Sequence, residues 1–354
     1  VDSLADDGLP NAQMGNAREI VCCLDPECFH VSIFGVGRPD ARILARRNTH
    51  VVRLPRRRQT PRILREFILR DYDVLFYLKA SPASNWYLRL RKKWKDRRCT
   101  VGTVESQADL RKEPTLAPKA VALWEQTVLR CDRLYSNSTS VQKSLRQNYG
   151  IESAIIPTGV NTRFFFPRWE RAQNSRPRVL FVGSLRRYKQ PHVLVDAAER
   201  CPEADFRLAG DGPLAGELAE AIARRELRNI SLLGPLSQEQ LRTEYQNADV
   251  FLFPSRWEGS PKVILEAAAC GVAIIARKDY SAETVEHGKT GYMGSSNEEL
   301  LSYLRGLLAN PALRAEFGRN ARKLAERYDW SVITAEWERE FTNIVEEQKR
   351  RRAS

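Results

Sequence analysis

The sequence predicts an α/β protein: two doubly wound, Rossmann-like domains of parallel sheet, facing each other across a cleft. Three observations carry this. Runs of six to eight mostly apolar residues recur along the chain, as strands buried on both faces of a parallel sheet require. Between them lie longer stretches with the helical period, as helices covering such a sheet require. The 354 residues exceed what one ordinary core holds, so two domains are expected.

Taken in order, the first half has a helical run at 13–24 and then strand-like runs HVSIFGV (30–36), THVVRLP (49–55), DVLFYLK (73–79), CTVGTVE (99–105) and RLYSNS (133–138). Helical stretches at 62–70, 85–95 and 116–130 separate them. Only Val1, Asp2, Ser3 and Leu4 precede the first loop, so the opening strand is expected to be very short or truncated. Positions 155–178 read as the linker, with turn chemistry at Pro157-Thr158-Gly159 and Pro167 and a polar stretch after it. The second half alternates strands RVLFVGSL (178–185), ADFRLAG (204–210), NISLLG (229–234), DVFLFPS (249–255) and VAIIAR (272–277) with helices near 191–200, 214–225, 238–247 and 261–269. From about 312 the tail is helical, with a break at Tyr328-Asp329-Trp330. The domains are therefore expected at 1–168 and 169–328, with a C-terminal helix, 329–354, packing back on the first. In open parallel sheets, ligands bind beyond the carboxyl ends of the strands.

Composition narrows the class. No apolar run approaches the ~18 residues of a membrane span, and the acidic, polar start VDSLADDGLP is no signal peptide. Seven scattered cysteines form no C-x-x-C pair, and four histidines are too few for a zinc site. Reduced thiols in a cytoplasmic protein are the expectation. The net charge of +13 lies almost wholly in the first half: 29 Lys and Arg face 17 Asp and Glu through Arg168, against 28 and 27 beyond it. This asymmetry points to an anionic partner on one domain.

The chemistry concentrates in FPSRWEGSPKVILEAAACG (253–271). Glu258 lies in a loop before a helix, and Glu266 lies within that helix among Val263, Ile264, Leu265, Ala267 and Ala268. A carboxylate in apolar surroundings is costly without a partner, so Glu266 is expected to have one; Lys262, four residues earlier, is the ordinary choice. Ser260 is the expected N-cap and Pro261 the first helical residue. Such a helix start suits a phosphate. Two carboxylates beside it suggest a sugar-nucleotide site.

Several further segments make a resemblance specific: FVGSLRRYK (181–189), LAGDGP (208–213), LLGPLS (232–237), NADVFLFPSRWEGSPKVILEAAACGVAIIA (247–276), HGKTGYM (287–293) and IIPTGVNTRFF (155–165). Together they resemble the family 4 glycosyltransferases, retaining enzymes of the GT-B architecture. They span essentially the whole second domain in the expected order, while the first domain matches mainly in folding pattern. The resemblance implies that Glu266 holds the donor ribose hydroxyls through its two acceptor oxygens. Glu258 would stand at the donor sugar and stabilise its developing positive charge. Backbone groups at Gly259 and Ser260 would meet sugar and diphosphate, with Pro261 shaping the turn but offering no N–H. Lys189 would offset the leaving diphosphate. Where the family has arginine after Gly183, this chain has Ser184, so Arg186 or Arg187 is assigned that charge. Gln190 also stands where glycine is common. The turns Gly210-Asp211-Gly212 and Gly234-Pro235-Leu236 would frame the base, although turn chemistry alone also accounts for them.

In the first domain, a loop at 11–16 before a helix, with Asn11 and Gly15, would approach the diphosphate from the other side. Glu105, ending the strand CTVGTVE, is the candidate for binding or deprotonating an acceptor hydroxyl. No metal and no cofactor beyond a nucleotide-sugar substrate is expected, with UDP- or GDP-sugar the first choices. The Asp71-Tyr72-Asp73 run reads as a chance match to a metal motif of another architecture. Trp86, Leu90 and Trp94, four apart within the basic run NWYLRLRKKWKDRR (85–98), together with RLPRRRQTPR (53–62), suit an anionic membrane surface. The ordinary alternative is that this apolar stripe packs on the sheet. The expected acceptor is a hydroxyl on a lipid-linked or cell-envelope glycan, handled at the inner face of the membrane. Nucleic acid has charge but no motif in its favour. A nucleotide-sugar epimerase of similar fold, and a basic non-enzymatic lipid- or nucleic-acid-binding protein, are the rival readings.

Overall fold

The computed structural model describes residues 12–353, apart from 36, 38, 56, 77, 79, 95, 97, 107–116, 171–173 and 281–282. The chain divides into two compact units, one formed by Val1–Thr158 with Trp330–Ser354 and the other by Gly159–Asp329.

The described elements of the first unit are α1 (Ala12–Cys23), β1 (Val31–Gly35), α2 (Ala41–Ala45), β2 (Thr49–Arg53), α3 (Gln59–Leu69), β3 (Val74–Phe76), α4 (Pro82–Leu90), β4 (Cys99–Val104), α5 (Pro118–Thr127), β5 (Arg133–Ser136), α6 (Thr139–Tyr149) and β6 (Ala154–Ile155). All strand pairings are parallel: β1 with β2, and β3-β4-β5-β6 in that order. The expected opening strand lies outside the described residues, as does Asn11. Ile155 belongs to β6, where it pairs with Ser136, so the strand order runs into what reads in the sequence as linker.

The second unit holds β7 (Arg178–Val182), α7 (His192–Arg200), β8 (Asp205–Ala209), α8 (Ala215–Arg224), β9 (Ile230–Gly234), α9 (Gln238–Asn247), β10 (Val250–Phe253), α10 (Lys262–Ala269), β11 (Ala273–Arg277), β12 (Gly291–Gly294), α11 (Asn297–Ala309) and α12 (Pro311–Glu326). Its six parallel strands run in the order β12-β11-β10-β7-β8-β9, the 3-2-1-4-5-6 order of a dinucleotide-binding fold. Val179, Leu180, Phe181, Phe251, Leu252, Ile274 and Ile275 are fully buried, because helices cover both faces of the sheet. The order reverses between β7 and β10, the point beyond whose strand ends sheets of this kind bind their ligands.

The division falls after Thr158 rather than after Arg168. The Val160 N–H donates to the Tyr328 carbonyl at 2.9 Å, Thr162 binds Asp329 through its N–H (3.0 Å) and hydroxyl (2.5 Å), and Phe165 joins the core of the second unit. After Asp329 the 24-residue helix α13 (Trp330–Ala353) belongs to the first unit. Trp330, Ile333, Trp337, Phe341 and Ile344 are buried and recur at the spacing of one helical face. Trp337 and Phe341 pack on Phe76 with ring centroids 4.8 and 5.0 Å away, and the Tyr135 hydroxyl donates to Glu340 at 2.7 Å. Among the described residues no helix is long and apolar enough to cross a membrane.

Candidate functional site

The strands at the switch point deliver the two central side chains. After β7 the chain passes through Gly183 and Ser184 into a 3-10 turn, Arg187–Lys189. After β10 it passes through Ser255 to Glu258. The Arg256 N–H donates to the Tyr188 carbonyl at 2.9 Å, which clips the two loops together. The Lys189 ammonium forms an ion pair with the Glu258 carboxylate. The Ser255 hydroxyl, fully buried, donates to the same carboxylate oxygen at 2.5 Å. The side chains of Lys189 and Glu258 are only 13% and 12% exposed. Lys189 also lies over the Phe253 ring, 5.0 Å from its centroid, an attraction between cation and aromatic face. The two residues, 69 positions apart, therefore act as one unit.

The glycine turns form a ledge beside this pair. The Gly183 N–H donates to the Ala209 carbonyl at 3.0 Å, Leu185 to Asp211 at 2.9 Å, and Gly210 to Gly234 at 2.8 Å. Gly210 has φ of +135°, and a Cβ there would stand 2.0 Å from the Gly183 carbonyl oxygen. No side chain fits that approach, and only glycine adopts the angle without strain. At Gly212 a Cβ would meet the Leu185 oxygen at 2.6 Å. Asp211 accepts from the Gly212 N–H at 2.7 Å, a turn contact, and Leu236 packs half-buried on the core. Arg186 and Arg187 are exposed, and Ser184 is half-buried.

Glu266 sits in the second turn of α10, and its partner is Tyr245 of α9, whose hydroxyl donates to Oε2 at 3.0 Å. Tyr245 is fully buried. Burial pushes the Glu266 carboxyl above its usual range, against the smaller opposite pull of the Tyr245 hydroxyl and Lys262. The expected helix start is corrected by one residue. Helix α10 begins at Lys262 with Pro261 as its N-cap and no side-chain cap bond. Pro261 has ψ of 112°, outside the helical range, so Ser260 lies beyond the cap position and does not close the helix.

Tyr280, on the segment after β11, is buried, and its hydroxyl has no hydrogen-bond partner among the described residues. Burial, with the Glu258 and Asp279 charges adding to it, pushes its pKa up.

In the first unit, Gly15 is not in a loop. It lies buried within α1, because AQMGNAREIVCC is helical from its first residue. The working residue there is Asn16, whose amide donates to Glu105 Oε2 at 2.8 Å and accepts from the Thr158 hydroxyl at 2.8 Å. Glu105 thus ties α1 to the end of β4, and its carbonyl accepts from Asn137 at 3.1 Å. Among the described residues no three His, Cys, Asp or Glu side chains come together as a metal-binding group.

Sequence reasoning missed Tyr245, Ser255, Tyr280 and Asn16. Ser255 had a signal, three residues before Glu258 in the same loop. Tyr245 had none, since 21 residues separate it from the carboxylate that it serves.

The chain is similar to known proteins in both sequence and fold. The model of glycosyl transferases group 1 matches residues 164–324, and that of glycosyltransferase family 4 matches residues 12–164. D-inositol 3-phosphate glycosyltransferase of Pseudarthrobacter chlorophenolicus is 32% identical over 225 residues, 57% of this chain and 54% of that protein. Sulfoquinovosyl transferase SQD2 of Arabidopsis thaliana is 26% identical over 209 residues, 57% of this chain and 40% of that protein. The match therefore spans about half the length of these curated relatives. Among solved structures, Anabaena HepE in complex with UDP and glucose superposes with a TM-score of 0.76 at 18% identity, covering 96% of this chain and 98% of that one. Sucrose-phosphate synthase of Thermosynechococcus elongatus gives 0.76 at 19% identity, covering 97% and 96%. At these identities the superpositions speak for the fold. With the two family models meeting at residue 164 and reaching from 12 to 324, the chain belongs to the family 4 glycosyltransferases and has their GT-B fold of two parallel-sheet domains.

Proposed function

We propose that this chain is a retaining, metal-independent glycosyltransferase that moves a sugar from a nucleotide donor to a hydroxyl acceptor. The observation that carries the reading is the Lys189–Glu258 pair at the switch point of the second sheet. The pair is neutral as a unit. A diphosphate arriving in the crevice attracts the ammonium, and the carboxylate is then left facing the sugar. There it stabilises the positive charge that develops as the nucleotide departs. Lys189 balances the negative charge of the departing diphosphate, supported by Arg186 or Arg187. Glu266, one oxygen held by Tyr245, receives the ribose hydroxyls, and the interlocked turns at Gly183, Gly210, Gly212 and Leu236 bound the base. Gly259 and Ser260 lie between the two glutamates and meet the donor through their backbone. Glu105 is assigned to the acceptor hydroxyl, held in place by Asn16. UDP-sugars are the first donors to test, because HepE was solved with UDP-glucose. The acceptor we assign is a lipid-linked or envelope glycan at the cytoplasmic face of a membrane.

The test is binding and turnover against UDP-, GDP- and ADP-sugars, with product analysis. Glu258→Ala is expected to cut turnover about 100-fold or more while donor affinity changes by less than about threefold. Glu266→Ala is expected to weaken nucleotide binding by about tenfold or more, the loss of charge-assisted hydrogen bonds. Equal nucleotide affinity for wild type and Glu266→Ala would sink the ribose assignment. An isomerised donor with no transfer to any acceptor would favour an epimerase.

A further inference from the structure

We propose that the outer face of α4 and the turn after it form a docking surface for an anionic lipid bilayer. Helix α4 buries Ala83, Ser84, Tyr87 and Leu88. The stripe Trp86, Leu90, Trp94 lies off that face. The Trp94 N–H donates to the Leu90 carbonyl at 3.2 Å, so the helical turn continues far enough to align the three. Trp86 is 55% exposed and Trp94 46%, while Leu90 is half-buried. The stripe therefore does not pack on the sheet, as a purely structural amphipathic helix would.

The charges around it sort into two sets. Arg91 and Arg98 are internal: Arg91 pairs with Asp132 at 2.6 Å, and Arg98 with Asp96 at 2.5 Å. Lys92 and Lys93, between Leu90 and Trp94, are exposed and have no ion pair among the described residues. The Arg98 guanidinium donates to the Arg70 carbonyl at 2.8 Å, which brings the end of α3 beside this segment. There Ile68 is 44% exposed and Leu69 68%. Two tryptophans, exposed aliphatics and unpaired lysines are the components of an interfacial anchor. Tryptophan rings sit at headgroup depth, apolar side chains enter the acyl boundary, and ammonium groups meet the lipid phosphates. The aliphatic members favour a bilayer over nucleic acid, which has no use for them. The surface would bring the enzyme to a lipid-linked acceptor. That use rests on the function proposed above, whereas the binding does not, so the two fail separately.

The experiment is co-sedimentation of the full chain with vesicles of phosphatidylcholine alone and of phosphatidylcholine with phosphatidylglycerol. The protein is expected on the anionic vesicles only, with less bound at higher salt. Trp86→Ala with Trp94→Ala, and separately Lys92→Glu with Lys93→Glu, are each expected to lower that binding about tenfold or more. UDP binding by calorimetry and circular dichroism should match wild type in both, because these side chains contribute little to the core. Failure of the wild type to bind anionic vesicles overturns the proposal, as do variants that bind like wild type. Preferential capture of mixed-sequence DNA over anionic vesicles would reassign the surface to nucleic acid.

Discussion

Replacing Lys189 by methionine probes the centre of the second unit. The substitution keeps the aliphatic stem of the side chain but removes the ammonium, and with it the cation over the Phe253 ring. Glu258, 12% exposed, then loses its ammonium partner and keeps the Ser255 hydroxyl. Breaking a buried ion pair from one side costs about 3–5 kcal/mol, because the surviving charge stays desolvated. At 13% and 12% exposure the pair keeps some access to water, so about 2–3 kcal/mol is expected. For a unit the size of Gly159–Asp329 that corresponds to a fall in melting temperature of roughly 4–12 °C. Lys189→Met with Glu258→Gln should recover most of the loss, since no carboxylate then stands without its lysine and Ser255 can still donate to the amide oxygen. Neither variant should turn over donor at more than about a hundredth of the wild-type rate. Scanning calorimetry of wild type, both single variants and the double variant closes the cycle. Purely additive effects, or a Lys189→Met enzyme as stable as wild type, would refute the reading of the two residues as one unit.

Two further outcomes follow from buried groups. Tyr280→Phe removes a fully buried hydroxyl that has no partner among the described residues, so it should leave stability unchanged or raise it by about 1–3 kcal/mol; a clear fall in melting temperature would mean that the hydroxyl is bonded. In the first unit, burial alone would raise the Asp96 carboxyl, but the Arg98 guanidinium, the Tyr87 hydroxyl and the Arg98 N–H together hold it at about 2. A carboxyl depressed in the folded state contributes stability above its unfolded value near ~4 and loses it as pH falls toward the folded value. Unfolding followed from pH 5 to 2 should therefore show wild type losing stability more steeply than Asp96→Asn. Parallel curves would rule out this linkage.

Much of the second unit is legible in the sequence because its strands are continuously apolar and its turns are marked by glycine. Each strand from β7 to β11 falls where such a run occurs. The short β12, Gly291–Gly294, escapes because four residues with glycine at both ends carry no apolar run. The helix start at α10 is misplaced by one residue because Ser-Pro is a good local start signal, whereas the backbone angle at Pro261 depends on how the loop meets the sheet. The first unit is less legible. Gly15 reads as a loop glycine beside a helix, yet α1 absorbs it. The tryptophan stripe of α4 reads equally well as core or as surface, since periodicity identifies a face without saying what covers it.

The local pattern of the chain thus determined that it would build two parallel sheets, that Lys189, Glu258 and Glu266 would stand on loops and a helix at strand ends, and that basic charge would gather in the first half. Those are properties of short windows, set by the periods of helix and strand and by turn chemistry. Only the tertiary structure decided which groups meet. Strand order placed the ends of β7 and β10 side by side, and so joined Lys189 to Glu258. The packing of α9 against α10 gave Glu266 its tyrosine, and the burial of Tyr87 rather than Trp86 turned the tryptophans outward. Each is a contact between segments far apart in sequence or a choice of buried face, and both are settled by how whole elements pack.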